Sequence, residues 1–192
     1  SAASDVYKRQ MEDLLNVLPA SDTNVLNDGA FIWDARGMNQ YSAGEMLELG
    51  QSGCATAYCL PPGGFDYMTT FQNGGSRQGH PWGTLQLQFT RMLVAGEGYR
   101  YKSKAELAAY LNGELDVNGL GMVDATYQPV GVGNAYQPGD TIYVYCETTF
   151  RAMITGIVSA AILGKPTRFY DGAMVEWHSL SYLLDATGNY IL

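Results

Sequence analysis

Short unbroken apolar runs along the chain alternate with stretches in which apolar residues recur at helical spacing. The runs predict buried strands at Ala30–Asp34 and Thr141–Tyr145 and two further strands at residues 55–60 and 167–170. Helical spacing predicts helices at residues 11–18, 42–47, 84–94 and 151–163, and one more that begins after Ser103. Strands that alternate with helices are typical of an α/β fold with a mainly parallel sheet.

Two of the predicted helices begin with a capping-box pattern. Ser42 is followed three residues later by Glu45, and Ser103 is followed by Glu106, so each serine is a candidate N-cap. Between the predicted elements, two segments near residues 61–83 and 118–139 are rich in glycine and polar residues. They are predicted to be loop insertions in a single domain that spans residues 11–192.

The first ten residues, "SAASDVYKRQ", resemble a translated adapter read-through of the kind found in metagenomic assemblies. We therefore treat residues 1–10 as non-native and leave them out of the functional argument. The natural start of the chain would then be lost, and a leader sequence could have preceded Met11. The Tyr- and Gly-rich, Lys-poor composition is compatible with export to a bacterial periplasm.

The charge balance excludes two classes of partner. The formal net charge is -8, so no basic patch is expected that could neutralise nucleic-acid phosphates or bind an anionic membrane surface. The uncharged apolar run at residues 152–164 is shorter than the roughly 20 residues that span a bilayer. The sequence therefore predicts neither a nucleic-acid partner nor a transmembrane segment.

Three cysteines are present: Cys54, Cys59 and Cys146. Cys54 and Cys59 are close enough in sequence to bridge if the segment between them curls, and the odd count then leaves one free thiol. Neither His80 nor His178 falls into a spacing typical of zinc ligands, so no metal site is predicted.

Polar residues follow three of the predicted strands directly: Asp34, Cys146 and Asp171. In parallel sheets, binding sites form beyond the carboxyl ends of strands, so these residues are expected to share one crevice. The turn into the next helix aims backbone N–H groups and the positive helix end at Cys146, which favours a thiolate. Glu147 opposes a thiolate, and a buried, unreactive cysteine remains an equal interpretation of the spacing alone.

Three stretches in order, "FIWDAR", "IYVYCETTFRA" and "PTRFYDGAMVEW", together resemble the rhodanese, or sulfurtransferase, family. That family has an Asp-x-Arg after an early strand, a six-residue loop that opens with cysteine, and a late "YDG" followed by "EW". The resemblance runs from about Asn24 to Leu184, although no motif matches the middle third of the chain.

The resemblance implies a three-layer rhodanese-like α/β fold and a single-domain sulfurtransferase without metal or organic cofactor. Cys146 would be the catalytic residue, which takes sulfane sulfur from a small donor and passes it to a thiol, on a small molecule or on a protein. The loop that cradles the persulfide would consist of Glu147, Thr148, Thr149, Phe150 and Arg151. Structural support would come from Asp34, Arg36, Asp171, Glu176 and Trp177, with Glu176 available to pair with Arg36 and Asp171-Gly172 forming a turn.

Arg151 follows Cys146 as Cys-x4-Arg, one residue shorter than the Cys-x5-Arg of cysteine phosphatases that share this fold. The shorter loop favours sulfur over a phosphoryl group as the species that is bound.

Two residues depart from the family pattern. Thr149 stands where active loops often carry glycine, and a positive φ there would cost threonine about 1 kcal/mol or more. Glu147 should repel dianionic thiosulfate, so a persulfide, polysulfide or protein-bound donor is the expected substrate.

The same two departures support an alternative, a non-catalytic rhodanese module that acts as an interaction or scaffold protein. The remaining candidates have simple structural interpretations. His80 and His178 could act as general acids, but they are expected to be ordinary surface histidines. Trp177 is expected to pack under the loop. The aromatic residues of segment 65–71, with Trp82, either cover the pocket or pack the insertion against the body.

Overall fold

A computed structural model describes residues 10–22, 29–63 and 79–180 of the chain. Its centre is a four-stranded parallel sheet formed by β1 (Ala30–Asp34), β4 (Leu85–Gln86), β5 (Thr141–Tyr145) and β6 (Thr167–Phe169). The strand order in this sheet is β4-β1-β5-β6. The α/β class with a central, mainly parallel sheet flanked by helices is therefore confirmed.

The remaining elements surround this sheet or extend from it. A two-stranded antiparallel hairpin is formed by β2 (Leu47–Glu48) and β3 (Tyr58–Cys59). The helices are α1 (residues 10–15), α2 (Met38–Tyr41), α3 (Lys104–Leu111), α4 (Phe150–Ile157) and α5 (Ala173–Leu180), with a 3-10 helix at Phe89–Met92 and a π-helical turn at Val158–Ile162. Across the described residues, no helix is both long enough and apolar enough to cross a bilayer.

The two central strands have the bounds that the apolar runs predict. β1 is buried along its whole length, and it pairs with β5 in register from Ala30 opposite Thr141 to Asp34 opposite Tyr145. Both strands therefore end at the same level, which places Ala35 and Cys146 side by side at one edge of the sheet. The predicted capping box at α3 is also confirmed: Ser103 Oγ accepts from the Glu106 N–H, and the Glu106 side chain accepts from the Ser103 N–H.

Helix α4 packs closely on the sheet. Gly156 lies directly against the ring of Phe169 in β6, and a Cβ at this position would collide with that ring. Ala152 and Val158 join Trp33 and Val144 of the central strands in the main apolar core. The helix that follows Cys146 is therefore held firmly against the strands that position the cysteine.

The helix predicted at residues 42–47 is wrong. Ala43 and Gly44 have positive φ angles of 52° and 89°, so the chain turns instead of continuing a helix. Ser42 Oγ accepts from the Met46 N–H, and Glu45 accepts from the Tyr127 hydroxyl, so neither side chain caps a helix. The observed helix is the preceding turn, α2, which the apolar spacing did not indicate.

The helix predicted at residues 84–94 is also wrong. Leu85 and Gln86 pair with Trp33 and Asp34 as a parallel strand, because both faces at this position are covered by the core. Gln88 is extended at φ -61° and ψ 138°, so the 3-10 helix that follows is a separate element. Pairing with the neighbouring strand has overridden the helical apolar spacing here.

The strand predicted at residues 55–60 is shorter than expected and lies outside the main sheet. It is reduced to β3, whose Cys59 pairs with Leu47 of β2. A disulfide joins Cys54 to Cys59, which settles a pairing that the sequence left open, and Cys146 is a free cysteine.

Segment 118–139 is irregular and is held by bridges from Val123 to Gln86 and Pro129. Most of the insertion near 61–83 lies outside the described residues.

Candidate functional site

Cys146 is the first residue after β5, and the chain turns through residues 147–149 before α4 begins at Phe150. The cysteine is fully buried in the main apolar core, and Glu147 beside it is 6% exposed. The start of α5 holds this turn in place. Met174 N–H donates to the Cys146 carbonyl at 3.0 Å, and Val175 N–H donates to the Glu147 carbonyl at 3.3 Å.

The backbone amides after Cys146 have hydrogen-bonding capacity to spare. Within residues 10–22, 29–63 and 79–180, the N–H groups of residues 147–152 donate to no acceptor. The next amide along the chain, that of Met153, donates to the Thr149 carbonyl. The positive end of α4 lies in the same place. Consecutive free amides at a helix start form a site for a small anion.

Thr149 adopts φ 76° and ψ -34°, a backbone conformation that glycine tolerates and a β-branched residue does not. The positive φ that would be costly for a threonine is therefore present at this position, and the backbone of Thr149 is strained. Its hydroxyl donates to the Asp171 carbonyl at 2.7 Å, which ties the loop to the turn formed by Asp171 and Gly172. The neighbouring Thr148 and Phe150 are exposed, and Phe150 reaches 82% exposure.

Arg36 and Asp34 form a buried ion pair next to the loop. The Asp34 carboxylate accepts from the Arg36 N–H at 2.8 Å, from Nε at 3.0 Å and from Nη2 at 2.7 Å. Tyr145 donates its hydroxyl to Asp34 Oδ2 at 3.0 Å. Burial of Arg36 disfavours its charged form and lowers its pKa. The interactions of the guanidinium with Asp34, Tyr145 and Glu147 raise the pKa by more than burial lowers it, so the pKa of Arg36 lies above its ordinary value.

Glu147 belongs to this same buried cluster. Its Oε2 accepts from Arg36 Nη1 at 3.2 Å and from Gln40 Nε2 at 3.3 Å. Arg151 donates from Nη1 to Gln40 Oε1 at 2.6 Å, so the loop's arginine is tied to its glutamate through one amide. The negative charge of Glu147 is thus compensated by Arg36. Gln40 was not predicted as a site residue, since it lies in the unpredicted helix α2 and matches no motif.

Arg36, for which Glu176 was an expected partner, forms ion pairs with Asp34 and Glu147. Glu176 accepts a hydrogen bond from the Tyr170 hydroxyl at 2.8 Å. Trp177 packs edge-on against the Tyr170 ring, with the centroids 6.5 Å apart, in a second apolar cluster on the side of α1.

Both histidines depart from the expected surface positions. His178 in α5 is buried, and its Nδ1 lies 4.0 Å from Glu147 Oε1. Burial disfavours its cationic form and lowers the pKa of His178 to about 4, even though Glu147 opposes the shift. The ring of His80 stacks on Tyr41 at 3.7 Å, and its Nε2 lies 3.2 Å from the Asp22 carboxylate. Helical spacing gave no signal for either position.

The structure brings the predicted residues Asp34, Arg36, Cys146, Glu147 and Arg151 together at the carboxyl end of β1 and β5. Asp171 joins them through its carbonyl, whereas Glu176 and Trp177 support the neighbouring Tyr170. The aromatic residues of segment 65–71 lie outside the described residues, and Trp82 is 52% exposed. In the described part of the chain, no group of three or more His, Cys, Asp or Glu residues is arranged to hold a metal ion.

Comparison with known proteins yields a structural similarity and no sequence match. No family model matches the chain, and no curated protein sequence matches it. Among solved structures, the chain is similar to the Tum1 protein from Saccharomyces cerevisiae, with a TM-score of 0.50 and 18% sequence identity. The match covers 81% of this chain and 38% of Tum1, so the chain spans well under half of that protein. With its four-stranded parallel sheet, the chain therefore has a rhodanese-like fold.

Proposed function

We propose that the protein is a sulfurtransferase in which Cys146 carries sulfane sulfur as a persulfide. The observation that carries this proposal is the stretch of free backbone amides at residues 147–152, which directly follows a free cysteine. A persulfide is an anion one sulfur atom longer than the thiolate, so its terminal sulfur needs donors just beyond Cys146. The amides and the start of α4 supply them.

The reaction has two displacements at sulfur. The Cys146 thiolate attacks the sulfane sulfur of the donor, the donor's sulfur–sulfur bond breaks, and the donor leaves as a thiolate. An acceptor thiolate then attacks the terminal sulfur of the Cys146 persulfide. The new sulfur–sulfur bond forms on the acceptor, and Cys146 is released as a thiolate. Both steps are redox-balanced, so the reaction needs no external oxidant or reductant.

The charges around the loop favour a donor that carries little negative charge. Arg36 is compensated by Asp34 and Glu147, whereas Arg151 donates to the neutral amide of Gln40 and keeps its positive charge, so the two guanidinium groups together offer a donor one uncompensated charge. The net charge of -8 adds a long-range repulsion. We therefore expect an alkyl persulfide, a polysulfide or a protein-bound persulfide to be used in preference to thiosulfate, and a small or protein thiol to be the acceptor.

A second candidate function is a non-catalytic rhodanese module that serves as an interaction protein. The burial of Cys146 favours it, because a thiol with no exposed surface reacts only when the surrounding side chains move. The sulfurtransferase proposal requires such an opening to occur during each turnover. The non-catalytic alternative requires that Cys146 behaves as a small apolar residue of the core.

A turnover assay separates the two functions. The purified protein is mixed with an alkyl persulfide as donor and a dithiol as acceptor, and the release of sulfide is followed with time. We expect turnover that is abolished in Cys146→Ser and retained in the Cys54→Ser/Cys59→Ser double variant. A rate in the wild-type protein equal to that of Cys146→Ser would support the non-catalytic module and refute the sulfurtransferase.

A further inference from the structure

A cavity of about 390 Å³ lies between one side of α3, the loop at residues 133–138 and the chain that follows the π-helical turn. None of its lining residues belongs to the Cys146 loop. Its apolar wall consists of Ala108, Leu111, Tyr136, Pro138 and Leu163. Cavities of this size that combine an apolar wall with a few polar groups are typical of small-molecule sites.

Backbone hydrogen bonds hold two walls of this cavity together. The Gly133 N–H donates to the Asn112 carbonyl at 2.7 Å, and the Tyr136 N–H donates to the Leu111 carbonyl at 2.9 Å. The loop at residues 133–138 is therefore tied to the end of α3. A ligand enters a cavity that the protein has already formed, as is usual for small-molecule sites.

Two cations line the cavity, Lys104 and Lys165, and neither forms an ion pair with a carboxylate of the described residues. Most other cations in the described part of the chain are paired. Ion pairs with aspartate or glutamate are formed by Arg36, Arg91, Arg100, Lys102 and Arg168. The remaining described cation, Arg151, donates to the amide of Gln40. In a chain with a net charge of -8, two uncompensated lysines in one cavity are therefore an exception.

Lys165 is held at the cavity wall by an aromatic ring. Its Nζ lies 4.8 Å from the centre of the Tyr136 ring, and that ring packs edge-on against Phe31, with the centroids 6.3 Å apart. The contact with the ring leaves N–H donors of the ammonium group for an acceptor in the cavity. Lys104 is the first residue of α3, and its side chain forms no hydrogen bond or ion pair with another described residue. Both ammonium groups therefore have donors to spare.

No carboxylate is among the residues that line the cavity in the described part of the chain. Two carboxylates contact lining residues from outside the cavity, and each accepts a hydrogen bond there. Asp140 is 5% exposed, and its Oδ2 accepts from the Gln137 N–H at 3.0 Å. Glu114 Oε1 accepts from the Asn112 side-chain amide at 2.9 Å. An anion in the cavity therefore meets two uncompensated cations and no carboxylate in the wall.

We propose that this cavity binds a small monocarboxylate with an apolar body. The carboxylate accepts from the ammonium groups of Lys104 and Lys165, since its two oxygens have enough lone pairs for both. The apolar body lies against Leu111, Pro138 and Leu163. The net charge of the chain repels a dianion more strongly than a monoanion, and the two lysines repel a cation. The site lies outside the proposed sulfur-transfer loop, and its existence does not depend on that reaction.

Benzoate is a suitable probe for this site. Benzamide has the same ring without the charge, benzylammonium combines a ring with the opposite charge, and acetate has the charge without the ring. Binding is followed by ¹H–¹⁵N NMR titration of the full chain. We expect saturable shifts with benzoate, centred on residues 104–112, 133–138 and 163–165, and binding about tenfold weaker or more for each of the other three compounds. No saturable shift with benzoate, or equal affinity for benzamide or benzylammonium, would overturn the proposal.

Three variants test the site from different sides. Lys104→Met and Lys165→Met each remove one cation, and Ala108→Phe fills the cavity without changing its charge. Each should weaken benzoate binding about tenfold or more. Lys102→Met makes the same substitution at a lysine that lies outside this lining and is already paired with Asp116, so the affinity should be unchanged. Unchanged binding in either cavity lysine variant, or an equal loss in Lys102→Met, would contradict the proposed site.

Discussion

The strain at Thr149 makes a quantitative prediction about the loop after Cys146. At most positions outside helices, glycine is less stable than alanine by about 0.4–1 kcal/mol, because it is freer in the unfolded chain. Thr149 has φ 76°, where a side chain costs about 1–2 kcal/mol and glycine costs little. The order of stability should therefore be reversed here, with Thr149→Gly more stable than Thr149→Ala.

The magnitude follows from three contributions. Both substitutions lose the hydrogen bond from the Thr149 hydroxyl to the Asp171 carbonyl, a loss of about 1 kcal/mol. Thr149→Ala keeps the backbone strain, so it should be destabilised by about that amount. Thr149→Gly relieves the strain but adds unfolded-chain entropy, so it should be about 0.5–1 kcal/mol more stable than Thr149→Ala.

Urea denaturation of the two variants measures the difference in the free energy of unfolding. Ala125→Gly is a suitable control, because Ala125 lies in a turn without positive φ, and there glycine should be the less stable residue. If Thr149→Gly is less stable than Thr149→Ala, by a margin like that at the control, residue 149 does not hold a strained conformation in the folded protein.

Two further predictions concern the buried charges beside the loop. Asp34→Asn leaves the Arg36 guanidinium without its main partner in a fully buried site, so the free energy of unfolding should fall by about 3–5 kcal/mol. Asp13→Asn, which removes the charge from an exposed pair with Arg168, should change the free energy of unfolding by less than about 1 kcal/mol. Equal effects of the two substitutions in urea denaturation would argue against a buried pair. The pKa of His178 is lowered from its ordinary value of 6.5 to about 4, so the stability due to its neutral form is complete above pH 6.5 and is lost as the pH falls towards 4. Wild-type protein should lose roughly 2 kcal/mol more than His178→Gln between pH 7 and pH 4, and parallel pH profiles would show that His178 does not titrate with a lowered pKa.

The elements that sequence could predict are those in which local pattern and tertiary context agree. β1 and β5 are short runs of apolar residues buried in the centre of a sheet, and both bounds are as predicted. The capping box at Ser103 and Glu106 is a purely local device, and it forms as expected. The order of these elements with the cysteine loop was enough to predict the fold class.

The elements that sequence missed depend on contacts between distant parts of the chain. Leu85 and Gln86 have helical apolar spacing, but they form an edge strand because β1 offers them a partner. The serine and glutamate at residues 42 and 45 match a capping box, yet positive φ angles at the two residues between them prevent a helix. Local pattern cannot reveal either outcome.

The sequence motifs indicated several of the residues that lie together at the candidate site, but not all of the hydrogen bonds and ion pairs between them. The motifs identified Asp34, Arg36, Cys146 and Glu147, and the structure places them together. The motifs did not indicate that Glu147 pairs with Arg36, or that Gln40 links Glu147 to Arg151. These contacts depend on how α2 packs against the loop after β5, and sequence spacing does not contain this information.

The most direct test of the central claim is the mass of the Cys146 peptide after a single exposure to a sulfane donor. Native protein is treated with an alkyl persulfide or an inorganic polysulfide, alkylated to preserve persulfides, digested and analysed by mass spectrometry. We expect one added sulfur on the peptide that contains Cys146, its removal by a thiol acceptor, and no adduct in Cys146→Ser. A Cys146 thiol that takes up no sulfur from either donor in the folded protein would contradict the claim that this residue carries sulfane sulfur.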